Sequence, residues 1–342
     1  MRMSEPVQVD APSAIKSCRV CQHSGCATTY VAREMMYGTR ETFSYFQCQS
    51  CGCLQIDQIP TDLVRHYPNN YYSFSSNEST AKEAGALRRS LMEWRLRPEV
   101  FGWGFKLAKL AGHFVDRPAN FSEISRFLGQ IPKPNKELKF LDVGCGAQSW
   151  WLSGLRLAGF THLIGIDPNI ETSQHLQCKN IIKGSIESLT SKFDVITFHH
   201  SLEHIPGQHE TLKQVTRLLN PDGICIVRIP LVDSEAWEHY GINWVELDAP
   251  RHLYLHSERS FEKLCEACGL RIAKSFREGT DFEFWGSEQY QDDVHLTSPD
   301  SYWINKRSKR FSGADLARFS EMAKRANETG RGGRGAFILR VK

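Results

Sequence analysis

From Leu138 onward, short apolar runs alternate with amphipathic stretches, and glycines or turn residues separate them. Five apolar runs predict strands: KFLDVG, HLIGID, NIIKG, FDVITF and ICIVRIP. The intervening stretches predict helices over 148–159, 169–178 and 208–219, and FEKLCEACG predicts a further helix with Gly269 at its C-cap. Strands that alternate with helices in this way are typical of a parallel sheet covered by helices on both faces.

The first 137 residues follow a different pattern. Residues 1–17 are polar, and we expect them to be frayed, whereas residues 18–60 contain six of the 11 cysteines between short β-like runs. Residues 61–137 begin with the aromatic stretch HYPNNYYSFSS and predict a linker or lid. Within them, segment 86–114 is basic and aromatic and predicts a helix that Pro98 breaks or restarts.

We therefore expect three functional units after the frayed start: a cysteine module over 18–60, the linker or lid over 61–137, and an α/β region over 138–342. A length of 342 residues, with 41% hydrophobic and 24% charged residues, suits about two globular domains. The net charge of +3 is no strong signal for nucleic acid. No apolar stretch suits a transmembrane helix or a secretory signal, so we expect a cytoplasmic protein.

Two CxxC pairs dominate the cysteine module. They consist of Cys18, Cys21, Cys48 and Cys51. Two such pairs on tight turns predict a tetrahedral, structural Zn²⁺ site, and a redox role is less favoured because no thioredoxin-like βαβ unit surrounds them. Cys26 and Cys53 are surplus, and either one could replace a ligand.

The strongest signal in the α/β region is LDVGCG at 141–146. A strand delivers Asp142, and the glycines then let the backbone turn tightly beside a ligand. Asp167 ends the second strand, where a carboxylate can accept hydrogen bonds from both hydroxyls of a ribose. This spacing suits NAD as well as S-adenosylmethionine (SAM).

The order of the motifs along the chain favours SAM over NAD. Five segments resemble, in order, those of class I SAM-dependent methyltransferases over most of residues 138–275: LDVGCG, IGIDPN, KGSIESL, FDVITFHHSLEHI and LLNPDGICIVRIP. The resemblance implies an α/β, Rossmann-like class I methyltransferase fold with a mostly parallel seven-stranded sheet, carrying a small N-terminal zinc-ribbon-like domain. It also implies a set of SAM-binding residues: Asp142, Gly144, Cys145, Gly146, Asp167, Pro168, Ser185, Ile186 and His199.

Two positions depart from the family pattern. Gln148 stands where a third glycine is common, and Ser185 stands where the family often has Asp. A non-catalytic SAM-binding protein is therefore retained as an alternative to an enzyme.

The segment HHSLEHI lies where the family places its active-site residues. We predict that His200 and His204 provide a general base, since the pKa of histidine is ordinarily near neutrality. The alternative is that either one only caps the following helix or contacts SAM. A second segment, DAPRHLYLHS, predicts acceptor contacts from Arg251, His252 and Tyr254. Arg251 is predicted to bind a phosphate or carboxylate of the acceptor. The alternative for Arg251 is a structural salt bridge.

The whole chain also resembles bacterial methyltransferases of sugar and cell-surface polysaccharide pathways. The resemblance rests on FSYFQCQSCGCLQI, YPNNYYSF, the SAM motifs and the tail WGSEQY to GRGGRGAFILRVK. It implies a nucleotide sugar or surface glycan as acceptor. The HH-x-LEH pattern differs from that of the related deoxysugar C-methyltransferases, which favours O-methylation.

Two features outside the α/β region have a functional and a structural interpretation. Tyr72 is predicted to stack on the acceptor sugar, or else to lie in a packed interdomain loop. Segment 86–114 is predicted to be a lid or interdomain helix, or to contact a membrane surface that carries lipid-linked glycans. A nucleic-acid methyltransferase that uses the zinc module for binding is the remaining rival function.

Overall fold

The computed structural model describes residues 15–68, 85–119, 121–131, 134–171, 173–176 and 179–342. Its strands in chain order are β1 Ile15–Ser17, β2 Ser24–Arg33, β3 Thr42–Cys48, β4 Leu54–Ile56, β5 Lys139–Val143, β6 His162–Asp167, β7 Gln174–Leu176, β8 Lys179–Lys183, β9 Phe193–His199, β10 Leu219–Pro230, β11 Tyr254–Leu255, β12 Leu270–Arg277 and β13 Arg334–Val341. Its α-helices are α1 Ala86–Phe101, α2 Phe105–Ala111, α3 Phe121–Leu128, α4 Trp150–Leu157, α5 Gln208–Leu218, α6 Glu235–Tyr240, α7 Glu258–Ala267, α8 Phe282–Gln291 and α9 Gly313–Glu328.

The main sheet has the strand order β12-β13-β10-β9-β5-β6-β8-β7. The five strands from β10 to β8 are parallel, and β13 is inserted antiparallel between β10 and β12. This arrangement confirms the predicted Rossmann-like methyltransferase fold with a mostly parallel seven-stranded sheet, to which β7 adds a short antiparallel edge strand. The central strands read as apolar runs because helices cover both faces of the sheet, and Val195, Ile196 and Phe198 are fully buried.

Two of the predicted helical features are wrong. Residues Gln174–Leu176, inside the helix predicted over 169–178, form β7 instead. Between 171 and 177 the chain has only one apolar residue, Leu176, so a helix there would have no apolar face to bury, whereas the edge of β8 satisfies its backbone. Pro98 does not break α1, which continues to Phe101 and ends at Gly102, a glycine in the left-handed region at φ 74°.

The other helices predicted in the α/β region are present. The helix predicted over 148–159 is α4, and the helix predicted over 208–219 is α5. The FEKLCEACG segment forms most of α7, with Cys268 at its cap and Gly269 next to it at φ 77°.

A second sheet joins the cysteine module to the α/β region. Its order is β1-β2-β3-β4-β11, and β11 comes from the C-terminal part of the chain. Leu255 and Tyr254 pair with Leu54 and Gln55 of β4, and the hydrophobic core continues from one region into the other. The pairing of β1 with β2 also shows that Ile15–Ser17 are not frayed, contrary to expectation.

No helix among the residues that the structure describes is long and apolar enough to span a bilayer.

Candidate active site

A cavity of about 420 Å³ opens at the carboxyl ends of β5, β6 and β9. This is the edge at which open parallel α/β sheets bind ligands, and the volume lies within the roughly 300–1,000 Å³ of small-molecule sites. Most of its lining comes from the SAM motifs, the HHSLEHI segment and the turn that follows the cysteine module, which contributes Leu63, Val64 and Tyr67. Pro206 and, on α5, Thr211 complete it.

Gly144 forms the floor of the cavity directly after β5. Its φ is +69°, and a Cβ at this position would lie 2.5 Å from the Cβ of Ser201. Ser201 is held in place because its hydroxyl donates to the carbonyl of Val143 at 2.7 Å. Only glycine therefore allows the β5 loop and the β9 loop to approach each other here.

Asp167 lies at the end of β6 and lines the same cavity. Its two carboxylate oxygens accept backbone N–H groups from Gly146 at 2.9 Å and Asn169 at 2.8 Å. Burial raises the pKa of this carboxyl above its ordinary value, while the two N–H donors oppose the rise. A carboxylate has about four lone-pair sites, so Asp167 retains the capacity to accept hydrogen bonds from a ligand.

Five of the predicted SAM-binding residues line the cavity: Gly144, Asp167, Pro168, Ser185 and Ile186. Three others do not line it: Asp142, Cys145 and Gly146. The carboxylate of Asp142 accepts from Ser149 at 2.6 Å and from Thr197 at 2.8 Å, and Ser149 in turn caps α4. Asp142 thus positions the β5 loop from behind instead of contacting the cavity.

His199 also departs from its predicted place among the SAM-binding residues. Its ring packs among Phe127, Trp150 and Trp151, with centroids 5.0–6.2 Å apart, and it does not line the cavity. Burial, followed by the charge of Arg228, lowers its pKa well below the ordinary value.

His200 is the histidine that faces the cavity. Its backbone has φ 54°, a left-handed conformation that is costly for a residue other than glycine and that often occurs at functional sites. Its N–H donates to the carbonyl of Arg228 at 3.0 Å, and its Nδ1 lies 3.7 Å from Oε1 of Glu203. Burial lowers the pKa of His200 well below the ordinary value, so its imidazole is neutral at pH 7.

His204 also lines the cavity, on a 3-10 turn over Leu202–His204. Its Nδ1 lies 2.9 Å from the carbonyl oxygen of Arg251 and 3.1 Å from the hydroxyl of Tyr67. Burial, then the neighbouring His252, lowers the pKa of His204 to about 3. Its ring lies 4.7 Å from that of His252.

Glu203 lies between these histidines, and we assigned it no role from the sequence. Its side chain is 0% exposed, and neither carboxylate oxygen has a hydrogen-bond partner within the described residues. Burial raises its pKa to about 8. The sequence motif LEH does not predict this buried environment, because residues about 50 positions further along the chain help to form it.

The predicted acceptor contacts in DAPRHLYLHS need correction. Arg251 is fully buried, and its guanidinium donates to Glu34, Asp248 and the carbonyl of His66, so it is a structural ion pair that a substrate cannot reach. The hydroxyl of Tyr254 donates to the carbonyl of Pro206 at 2.8 Å, and Tyr254 does not line the cavity.

Two predicted acceptor residues remain. His252 is buried beside His204, and its Nδ1 lies 2.7 Å from the carbonyl oxygen of Glu246. Tyr72 lies outside the described residues.

The four cysteines of the CxxC pairs converge on one point. Their Sγ atoms all lie within 4.8 Å of one another, with Cys18–Cys51 and Cys21–Cys48 both at 3.7 Å. Four thiolates around a tetrahedral zinc with Zn–S of about 2.3 Å would lie about 3.8 Å apart, so the cluster fits zinc. Cys26 is exposed and Cys53 is buried, and neither belongs to the group of four.

Comparison with known proteins agrees with this geometry. Residues 112–275 match the model of a family described as a methyltransferase domain. The mitochondrial ubiquinone biosynthesis O-methyltransferase of Saccharomyces cerevisiae is 27% identical over 161 residues, which cover 41% of this chain. The match spans 48% of that relative, or about half of its length.

Solved structures show weaker likenesses. A cyclopropane synthase of Mycobacterium tuberculosis is 14% identical with a TM-score of 0.41, covering 66% of this chain and 84% of its own. The YcgJ protein of Bacillus subtilis is 16% identical with a TM-score of 0.41, covering 65% and 99%. The fold assignment follows from the strand order of the main sheet and from the match over residues 112–275. This chain therefore has the fold of class I SAM-dependent methyltransferases, and its residues 112–275 match a methyltransferase domain.

Proposed function

We propose that this protein transfers the methyl group of SAM to a hydroxyl oxygen of a sugar or glycan, either a nucleotide sugar or a surface polysaccharide. The observation that carries the proposal is that Asp167, Gly144 and His200 line one cavity at the carboxyl ends of the parallel strands. The choice of a sugar acceptor is supported by the resemblance of the whole chain, cysteine module included, to enzymes of polysaccharide pathways.

The cavity has separate places for the two reactants. Asp167 accepts ribose hydroxyls, and Ile186 offers an apolar surface to the adenine. When bound, SAM supplies an electrophilic methyl group on a positively charged sulfur. Leu63, Val64 and Tyr67 form a wall on which the acceptor can lie, and an aromatic ring such as that of Tyr67 suits the apolar face of a sugar.

His200 is our candidate for the base. As the acceptor oxygen bonds to the methyl carbon and the carbon–sulfur bond breaks, the hydroxyl proton passes to an imidazole nitrogen of His200. Holding the two reactants in line supplies most of the acceleration. His204 was predicted for the same role, but its Nδ1 already contacts the Arg251 carbonyl, which favours His200.

We also propose that the four cysteines hold a structural zinc ion and that segment 86–114 contacts a membrane surface. Six large apolar side chains in this segment are exposed: Leu87, Trp103, Phe105, Leu107, Leu110 and Phe114. Lys106 and Lys109 lie among them on α2, which matches an anionic bilayer. Such contact would bring the enzyme to lipid-linked glycans.

Vesicle sedimentation tests the membrane contact. The protein should co-sediment with vesicles containing phosphatidylglycerol, and the double variant Phe105→Glu, Leu110→Glu should not. The matched control is Ile304→Glu, since Ile304 is 55% exposed in another part of the surface. Equal binding by all three proteins, or none by the parent, would refute membrane contact.

Methyl-labelled SAM and fractionated cell extract test the activity. Label in nucleotide sugars or glycans supports the proposal, and His200→Gln should then reduce transfer at least about 100-fold while SAM still binds. Label in RNA or protein would discard the sugar acceptor and favour the rival functions. SAM binding with no label in any fraction would favour a non-catalytic protein.

A further inference from the structure

Three side chains from two separate segments lie close together beside the cavity, and one of them, His204, lines it. Glu203 and His204 come from the turn after β9, and His252 comes from the loop before β11. One nitrogen or oxygen atom from each lies within 4.8 Å of the other two. None of the three is among the cavity residues, such as Asp167 and Ile186, that we propose contact SAM.

The two histidines are oriented alike. Nδ1 of His204 lies 2.9 Å from the carbonyl oxygen of Arg251, and Nδ1 of His252 lies 2.7 Å from that of Glu246. A carbonyl oxygen only accepts, so each Nδ1 carries the hydrogen and each Nε2 presents a lone pair. Histidines that bind metals are typically fixed in this way, by an N–H donated to a backbone carbonyl.

Glu203 supplies the third donor and needs a partner. Its carboxyl group is completely buried without a hydrogen bond from any described residue, which is costly for a polar group. Its Oε1 lies 4.0 Å from Nε2 of His252. A cation bound among the three ligand atoms would satisfy this carboxyl group.

We propose that Glu203, His204 and His252 bind a divalent transition-metal ion, with Zn²⁺ as the first candidate, at a site separate from the four cysteines. Two imidazoles and one carboxylate are a ligand set of catalytic zinc and leave at least one coordination position open. Ligands around a tetrahedral zinc lie about 3.4 Å apart, so the His252–Glu203 pair must close by about 0.6 Å on binding.

The open position would serve the acceptor. His204 lines the cavity beside His200, so a ligand in the cavity can reach a metal held there. Coordination of the acceptor hydroxyl would orient it and make its proton easier to remove, with His200 receiving that proton. This role rests on the proposed methyl transfer, but the metal site itself does not.

Manganese is a suitable probe because thiolates favour zinc over it, so it leaves the cysteine cluster occupied. The full-length protein, purified with zinc and dialysed against a weak chelator, is titrated with Mn²⁺ while the spectrum of free Mn²⁺ is followed by electron paramagnetic resonance. We expect one Mn²⁺ per chain, competed by added Zn²⁺. Glu203→Gln and His252→Gln should weaken binding at least about ten-fold, whereas Glu210→Gln, an exposed glutamate on α5, should not.

SAM binding by each variant serves as the test of folding. The site is refuted if the parent protein binds no Mn²⁺, or if Glu203→Gln and His252→Gln bind it as tightly as the parent while both still bind SAM. If metal binds but its removal leaves methyl transfer unchanged, the site stands and its role in the reaction is refuted. If no acceptor is ever methylated, the proposed function fails while the Mn²⁺ titration still decides the site.

Discussion

Nη2 of Arg251 lies 2.8 Å from a carboxylate oxygen of Glu34, and the two side chains are 0% and 1% exposed. The pair joins positions 217 residues apart, one in the cysteine module and one in the loop that also carries His252. Glu34 further accepts the backbone N–H groups of Tyr37 and Thr39 at 3.0 Å. This ion pair therefore fixes the cysteine module to the loop that carries His252, and the carbonyl of Arg251 in that loop contacts His204, which lines the cavity.

Removing one partner of this pair should strongly destabilise the protein. Arg251→Met leaves Glu34 and Asp248 buried without their cation, and such a loss costs about 3–5 kcal/mol of unfolding free energy. Urea denaturation of the variant measures it. The matched control is Arg33→Met, because Arg33 forms a half-exposed pair with Asp293 that should contribute less than about 1 kcal/mol. Equal losses from the two variants would show that burial of the Arg251 pair does not matter.

The second prediction concerns Asp167, which we propose binds the ribose of SAM. Asp167→Asn replaces one acceptor oxygen by an NH₂ group, which must face an N–H of either Gly146 or Asn169. The variant also lacks the negative charge that strengthens the proposed hydrogen bond from a ribose hydroxyl. Loss of such a charge-assisted hydrogen bond, at about 1.5–3 kcal/mol, should raise the Kd for SAM about 10- to 100-fold. Isothermal titration calorimetry measures it, with Asp194→Asn as the control, since Asp194 accepts the Lys139 N–H away from the cavity. Unchanged affinity in Asp167→Asn would mean that the ribose is bound elsewhere.

Local chemistry explains what the sequence could predict. Gly144 and Asp167 could be predicted because Gly144 directly follows an apolar strand and Asp167 ends the next one. The order of those strands along the chain predicts the sheet. Arg251 was misassigned because its partner Glu34 is far away in the sequence, and nothing in the letters PRH distinguishes a buried ion pair from a phosphate ligand. Glu203 and His252 are likewise brought together only by the tertiary fold.

The cysteine cluster makes a third prediction. Cys48→Ser removes one thiolate, so the variant should lose the zinc ion that we propose the four cysteines hold and, with it, the folded module. The unfolding should reach the α/β region, because β4 pairs with β11 and the core is continuous. Mass-spectrometric metal analysis and thermal melting measure the two effects. Cys26→Ser is the control, as Cys26 is exposed and lies outside the group of four. A zinc-free parent protein that is fully folded would contradict the assignment.

The fourth prediction concerns Glu283, which is 1% exposed on α8. Its Oε2 accepts the N–H of Gly333 at 2.8 Å, its Oε1 has no hydrogen bond from the described residues, and Glu246 and Arg334 are the charged groups nearby. Burial raises the pKa of Glu283 from 4.5 to about 8. Between these values the folded protein holds a proton that the unfolded chain has lost, so this carboxyl makes the unfolding free energy fall as pH rises from about 4.5 to about 8.

Glu283→Gln should remove that contribution, because the amide is neutral at every pH and its oxygen can still accept from Gly333. Urea denaturation at pH 5.5, 7 and 8.5 measures the difference between variant and parent. The variant should gain stability relative to the parent as pH rises, with a slope approaching about 1.4 kcal/mol per pH unit and levelling off above pH 8. Since other buried groups titrate equally in both proteins, the difference isolates Glu283. The control is Glu321→Gln, at an exposed position on α9, whose unfolding free energy should change with pH as that of the parent does. If the unfolding free energy of Glu283→Gln also follows the parent at all three pH values, Glu283 is ionised in the folded protein.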